Sequence, residues 1–263
     1  MLQSTALFLF AHQDDEFGVF YEIHQLVSRG DKVIVMYLTS GTPDGTPSHI
    51  RDAESLSVLK KLGVSESNIV FWGTNAGIPD GDLCSHLDVA YRGIADLIAK
   101  AEAPEKLYFH AWEGGHQDHD AAYLLGVALG EHLGILDRCY QFPLYTGVGL
   151  PAAFFRMFYC LPENGAPNLT TIPWRQRIEF IQFCFHYPSQ LKSWVGLFPF
   201  FLFHYLFFGT QILQPVSAKQ IHRPPHLGKL LYERRGFYSY TKFAEVTSGF
   251  ISRLSEAKRA IRK

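Results

Sequence analysis

The sequence predicts an α/β fold: a Rossmann-like, doubly wound, mostly parallel sheet with helices on both faces, continued by an aromatic-rich C-terminal extension. Three observations predict it. Short apolar runs alternate with stretches of helical period through the first half of the chain. The runs are continuously apolar, as strands buried on both faces must be. Polar residues able to do chemistry follow the runs directly, where ligands bind in open α/β sheets.

Taken in order, Ala6–Phe10 is a buried strand, and Phe17–Arg29 a helix stopped by Gly30. Lys32–Leu38 (KVIVMYL) is the second strand, and Thr39–Ser48 a loop rich in Gly, Pro, Ser and Thr. Ile50–Leu62 places Ala53, Leu56, Leu59 and Leu62 on a helical period before Gly63. Asn68–Trp72 is a third strand, and Gly73–Gly81 is turn-rich. Leu87–Ala101 is a helix, Lys106–Ala111 a fourth strand, Asp118–His132 a helix and Arg138–Leu144 a fifth strand. Beyond these, Arg175–Phe185 and Thr247–Ile261 read as helices. Residues 1–150 are read as a catalytic core, and residues 151–263 as an aromatic and basic region packed on it and shaping the substrate site.

Composition narrows the class. At 47% hydrophobic and 19% charged, the chain is not disordered. The net charge of −1 hides an asymmetry. Residues 1–131 hold 19 Asp/Glu against 8 Lys/Arg, and residues 132–263 hold 6 against 16. The aromatics are uneven too, with 17 in residues 154–208. The four cysteines are widely spaced with no CxxC, which points to reduced thiols and a cytoplasmic protein. No signal peptide is expected, because Ala6–Phe10 follows no basic segment. There is no Walker motif, no GxGxxG after the first strand and no GxSxG, which disfavours nucleotide binding and serine hydrolase chemistry.

Two clusters carry the chemistry. Ala11-His12-Gln13-Asp14-Asp15-Glu16 ends the first strand with one imidazole and three mutually repelling carboxylates, an arrangement that a cation offsets. Gly114-Gly115-His116-Gln117-Asp118-His119-Asp120 follows the fourth strand. Strands one and four are neighbours at the switch point of a doubly wound sheet, so the clusters can meet. Together they offer His and Asp donors of the kind that hold a catalytic zinc with one position open. Taken singly, each cluster is as well explained by polar residues capping helices. Two of them at the strand ends of one sheet tip the balance towards a metal.

AHQDDE together with GGHQDH resembles the PIG-L/LmbE-type zinc-dependent N-deacetylases, whose pattern is AHPDDE with HPDH. Arg51-Asp52-Ala53-Glu54 leading to Leu62-Gly63-Val64, Thr39-Ser40-Gly41, Ile78-Pro79-Asp80-Gly81-Asp82-Leu83 and, more weakly, Tyr187-Pro188-Ser189-Gln190 resemble further family segments. Gln13 and Gln117 stand where the family has proline. The resemblance implies His12, Asp15 and His119 as zinc ligands, with iron(II) an alternative metal. It implies Asp14 as general base, His116 as oxyanion stabiliser, Asp118 as the residue that orients His116, and Arg51 and Asp80 as substrate contacts. The implied activity is hydrolysis of the acetamido group of an amino sugar or glycoconjugate, lipid-linked ones included, giving acetate and an amine. Two rivals are a zinc amidase for a non-sugar N-acyl substrate, and a non-catalytic membrane- or nucleic-acid-binding module of the same fold.

The other nine histidines, His110 among them, are read as surface or satisfied core residues, with His186 the best placed to line the site. The apolar stretch Trp194–Phe208 would reach roughly 22 Å as a helix, short of a hydrocarbon core of about 30 Å, so no span is expected. It is either core or, with the basic residues after it, a peripheral membrane contact.

Overall fold

The computed structural model describes residues 4–43 and 48–261, with side chains as far as Glu256. Residues 44–47 of the predicted Thr39–Ser48 loop lie outside the described residues. Strand β1 (Thr5–Phe10) is followed by a 3-10 turn over Asp15–Gly18 and helix α1 (Phe20–Ser28). Then come β2 (Lys32–Tyr37), α2 (His49–Lys61), β3 (Ile69–Val70), α3 (Trp72–Ala76), α4 (Leu87–Lys100), β4 (Lys106–His110), α5 (Gln117–His132) and β5 (Cys139–Phe142). The second half supplies β6 (Tyr145–Thr146), β7 (Arg156–Met157), β8 (Asn168–Thr171), α6 (Trp174–Phe183), α7 (Leu191–Phe203), β9 (Thr210–Pro215), α8 (Leu231–Arg234) and α9 (Tyr240–Ile261).

One sheet of order β3-β2-β1-β4-β5-β9-β8 runs through the molecule. Its first five strands are parallel, and β9 and β8 add to it antiparallel. Successive side chains point to opposite faces, which sorts the apolar residues into two layers. Phe8, Phe10, Val35, Tyr37 and Tyr108 pack under α1, α2, α6 and α7. Leu7, Leu9, Met36, Leu107 and Phe109 pack under α4, α5 and α9. This is the doubly wound fold that the apolar runs predict.

The structure corrects several boundaries. The third strand shrinks to Ile69–Val70, because Trp72 opens α3. There Gly73 lies so close to the Leu38–Thr39 backbone that a Cβ would clash. Helix α9 begins at Tyr240 rather than Thr247. A division at residue 150 cuts through one sheet, since β8 and β9 extend it from the second half. The aromatic stretch is longer than predicted. A continuous helical stretch runs from Pro188 to Phe208, 21 residues that suffice by length and composition to cross a membrane. Both its ends are nevertheless tied to the same globular body. Tyr187 is buried with its hydroxyl on Glu16, and β9 starts just beyond in the central sheet.

Candidate metal centre and active site

The carboxyl ends of β1 and β4 lie side by side. The clusters that follow them therefore converge at the switch point, where the chain leaves β1 towards one side of the sheet and β4 towards the other. Gly115 lets the second cluster run close against the segment after β5: a Cβ on it would collide with the carbonyl of Tyr145.

Asp15 is the hub. Its Oδ1 lies 3.3 Å from His119 Nε2, and its Oδ2 lies 3.4 Å from His12 Nδ1 and 3.2 Å from His110 Nε2. Burial opposes its ionisation, but the imidazoles of His119, His110 and His12 hold its carboxyl well below the usual range. His119 has no hydrogen-bond partner for either ring nitrogen among the described residues; its approach to Asp15 is close but not aligned as a hydrogen bond. An orphaned, fully buried imidazole beside a carboxylate is costly unless a further group completes the site. Donors about 2.0–2.1 Å from a tetrahedral zinc stand about 3.3–3.4 Å from one another, which is the separation of Asp15 Oδ1 from His119 Nε2 and of Asp15 Oδ2 from His12 Nδ1. Among the described residues, three groups of side chains bring their donor atoms close enough to hold one ion: His12, His116 and His119; His12, Asp80, His116 and Asp118; and Asp15, His110 and His119.

The acidic neighbours are sorted by their surroundings. Asp14 has φ 110°, a left-handed conformation that Asp tolerates better than most residues. The Glu16 carboxylate accepts from its backbone N–H at 3.1 Å and pins it there. Burial and the adjacent carboxylates of Asp15 and Glu16 push Asp14 up to about 8, against the opposing pull of Arg51. Burial and the His12 charge lower His116 to about 4, and burial and His110 lower His119 to about 4. His116 caps α5, its Nδ1 accepting from the Asp118 backbone N–H at 3.3 Å. When neutral it therefore carries its proton on Nε2, which lies 3.7 Å from Asp80 Oδ1.

Two of the roles implied by the resemblance meet a different geometry. The Asp118 carboxylate reaches His12 rather than His116. Its Oδ2 is 3.1 Å from His12 Nε2 and accepts from Gly81 N at 2.6 Å, and its Oδ1 accepts from Leu83 N at 3.1 Å. Arg51 spends its guanidinium on the chain itself: it donates to the carbonyls of Gly41 and Gln13 and, at 3.2 Å, to Asp14 Oδ1. Asp80, by contrast, is half-exposed in the cavity with Oδ1 3.1 Å from His12 Nε2. The two glutamines in place of proline use their amides. Gln13 donates to Asp52 at 2.7 Å and Gln117 to the Gly81 carbonyl at 3.3 Å.

These residues line a cavity of about 440 Å³ holding His12, Asp14, Asp15, Arg51, Asp80 and His116. Gln190 of the weaker family-like segment and Arg235 of the basic run also line it, as do Tyr145 and Lys192, which were not singled out from the sequence. The Tyr187–Gln190 segment reaches the site because Glu54 of α2 accepts from the Ser189 backbone and hydroxyl at 2.8 and 2.5 Å. His186 instead bonds the Gln182 carbonyl and does not line the cavity. His110, read as a core residue, stands in the site itself. It ends β4 and accepts from the Ala11 N–H at 3.0 Å. Its position at a strand end was the available signal.

A doubly wound sheet with a His/Asp donor cluster at its switch point defines an α/β protein with a candidate metal site. Residues 7–129 match the family model described as PIG-L: GlcNAc-PI de-N-acetylase. Among solved structures it is similar to the A40926 pseudoaglycone deacetylase Dbv21 (20% identity, TM-score 0.60, covering 82% of this chain and 98% of that one). It is similar also to the N,N'-diacetylchitobiose deacetylase of Pyrococcus horikoshii (17%, 0.58, 85% and 88%). A third is the zinc-inhibited form of the teicoplanin deacetylase Orf2 (17%, 0.52, 71% and 85%). At these identities the likeness establishes the fold. No curated protein matches the chain by sequence.

Proposed function

We propose that the protein is a metal-dependent N-deacetylase that hydrolyses the acetamido group of an amino sugar or glycoconjugate to acetate and a free amine. The observation that carries this reading is the placement of Asp14 and His116 in the same cavity as the Asp15-centred donors. The family match and the deacetylases among the structural relatives support it.

His12, Asp15 and His119 would hold the ion, and zinc there supplies Lewis-acid chemistry towards water and the amide carbonyl, with iron(II) an alternative. Asp14 takes the proton of the attacking water, and must be ionised to do so. His116, neutral and with its N–H on Nε2, donates to the oxygen on which negative charge develops. Asp14 then returns its proton to the nitrogen as the C–N bond breaks. Asp80, at the cavity wall, accepts from a sugar hydroxyl.

The test is acetate release from N-acetylglucosamine and its glycosides by protein stripped of metal and then reloaded. Equal amounts of acetate and amine should appear with zinc or iron(II) and vanish after chelation. Fully loaded protein that cleaves no acetamido sugar would overturn the reading.

A further inference from the structure

The most apolar 18-residue window of the helical stretch Pro188–Phe208 has a mean hydropathy of 1.3, yet only 17% of that window is buried. One side is sealed, with Trp194, Phe201 and Tyr205 sunk into the core. The other side presents Leu191, Val195, Phe203, Leu206 and Phe207, each between 42% and 70% exposed. Single exposed apolar side chains are ordinary; five along one helix make a contiguous surface that water disfavours. Phe154, 66% exposed, stands beside Phe155, which packs on Phe200 of α7 with ring centroids 5.1 Å apart. The helix does not cross a bilayer, because Tyr187 and β9 hold its two ends to one body.

The charge around this face selects its partner. No Asp or Glu occurs between Glu179 and Glu233. Exposed Lys192 lies on α7, and exposed Arg156 lies on β7, against which α7 packs. Arg235 stands on the cavity wall over the Phe155 ring, 5.3 Å from its centroid. A second copy docked by a two-fold axis would set these cations against each other, with no carboxylate of that segment to pair them. An anionic lipid surface offers both what the apolar face and what the cations require.

We propose that α7 lies flat in the interfacial layer of an anionic lipid leaflet, its Val195–Phe207 face among the acyl chains and Lys192 and Arg156 at the headgroups. Gln190, Ser193, Gly196 and Leu197 of the same helical stretch line the active-site cavity, so docking sets the mouth of that cavity at the membrane surface. The proposal goes beyond the deacetylase reading and needs no bound metal.

Flotation with vesicles of phosphatidylcholine containing about 30% phosphatidylglycerol tests it. The wild-type protein should float with these vesicles, and at least tenfold more weakly with pure phosphatidylcholine or at high salt. The double variant Phe203→Glu/Phe207→Glu should lose at least tenfold in binding, with an unchanged melting temperature showing that the fold survives. Three results would overturn the proposal: no flotation of the wild type, equal flotation of the variant, or a dimer dispersed by the same substitutions without vesicle binding.

Discussion

His110 lies flat against His119, with ring centroids 4.0 Å apart and planes 6° apart. Since neither His119 nitrogen has a hydrogen-bond partner among the described residues, ring packing, this stack foremost in closeness, holds the plane of the ring. Replacing His110 by Ala removes that constraint, leaves a void and orphans the Ala11 N–H. About 2–4 kcal/mol of stability should be lost. Zinc affinity should fall at least tenfold. His110→Phe restores the stacked surface and should recover most of the zinc affinity. Zinc titration of the two variants checks this; wild-type affinity in His110→Ala would refute the role of the stack.

Asp118 ties the second cluster to the first. One carboxylate meets His12 and the Gly81 and Leu83 N–H groups, so it holds both an imidazole and the loop that presents Asp80. Asp118→Ala strands two backbone donors and frees His12. The expected result is a 10–100-fold loss of metal affinity. If Asp118 acted on His116 alone, metal affinity would stay at the wild-type level while turnover fell.

The sequence made the His/Asp cluster legible because its residues follow two continuously apolar strands, and such strands occupy the centre of a parallel sheet. It did not show which imidazole Asp118 serves. Neighbours in the His116–His119 segment are close in sequence, but the helical turn aims the Asp118 side chain at β1. The edge strands were invisible for a related reason. All four residues of β8 are exposed, and β9 ends in Pro215, so neither carries an apolar signature. Their pairing is decided by contacts between residues distant in sequence. The extent of α7 was hidden by Gly196 and Pro199, which read as breaks but are absorbed in the helix.

Asp14→Asn separates metal binding from catalysis. Asn tolerates the left-handed backbone at this position as Asp does, so the local fold should persist. The side chain can no longer accept a proton. Zinc content by elemental analysis should match the wild type, while acetate release should fall at least a hundredfold. Full turnover in the zinc-loaded variant would remove Asp14 from the mechanism.

Glu113 links the site to stability through pH. It is buried, with Oε1 accepting from the backbone of Leu144 and Tyr145 at 2.8 and 3.0 Å, while Oε2 has no hydrogen-bond partner among the described residues. Burial, reinforced by Asp120, pushes its carboxyl well above the usual range even though the two N–H groups pull it down. The unfolded chain releases this proton near the ordinary Glu value of about 4.3, whereas the folded protein retains it. Below that value Glu113 is protonated in both states and contributes no pH dependence. Above it the unfolded state binds fewer protons, so stability falls as pH rises, by up to about 1.4 kcal/mol per pH unit until the folded carboxyl also ionises. Glu113→Gln keeps an acceptor for both N–H groups and cannot ionise. Urea unfolding between about pH 5 and pH 8 should therefore show the stability of the wild type declining relative to the variant as pH increases. A difference that stays constant across that range would mean that Glu113 is already ionised in the folded protein.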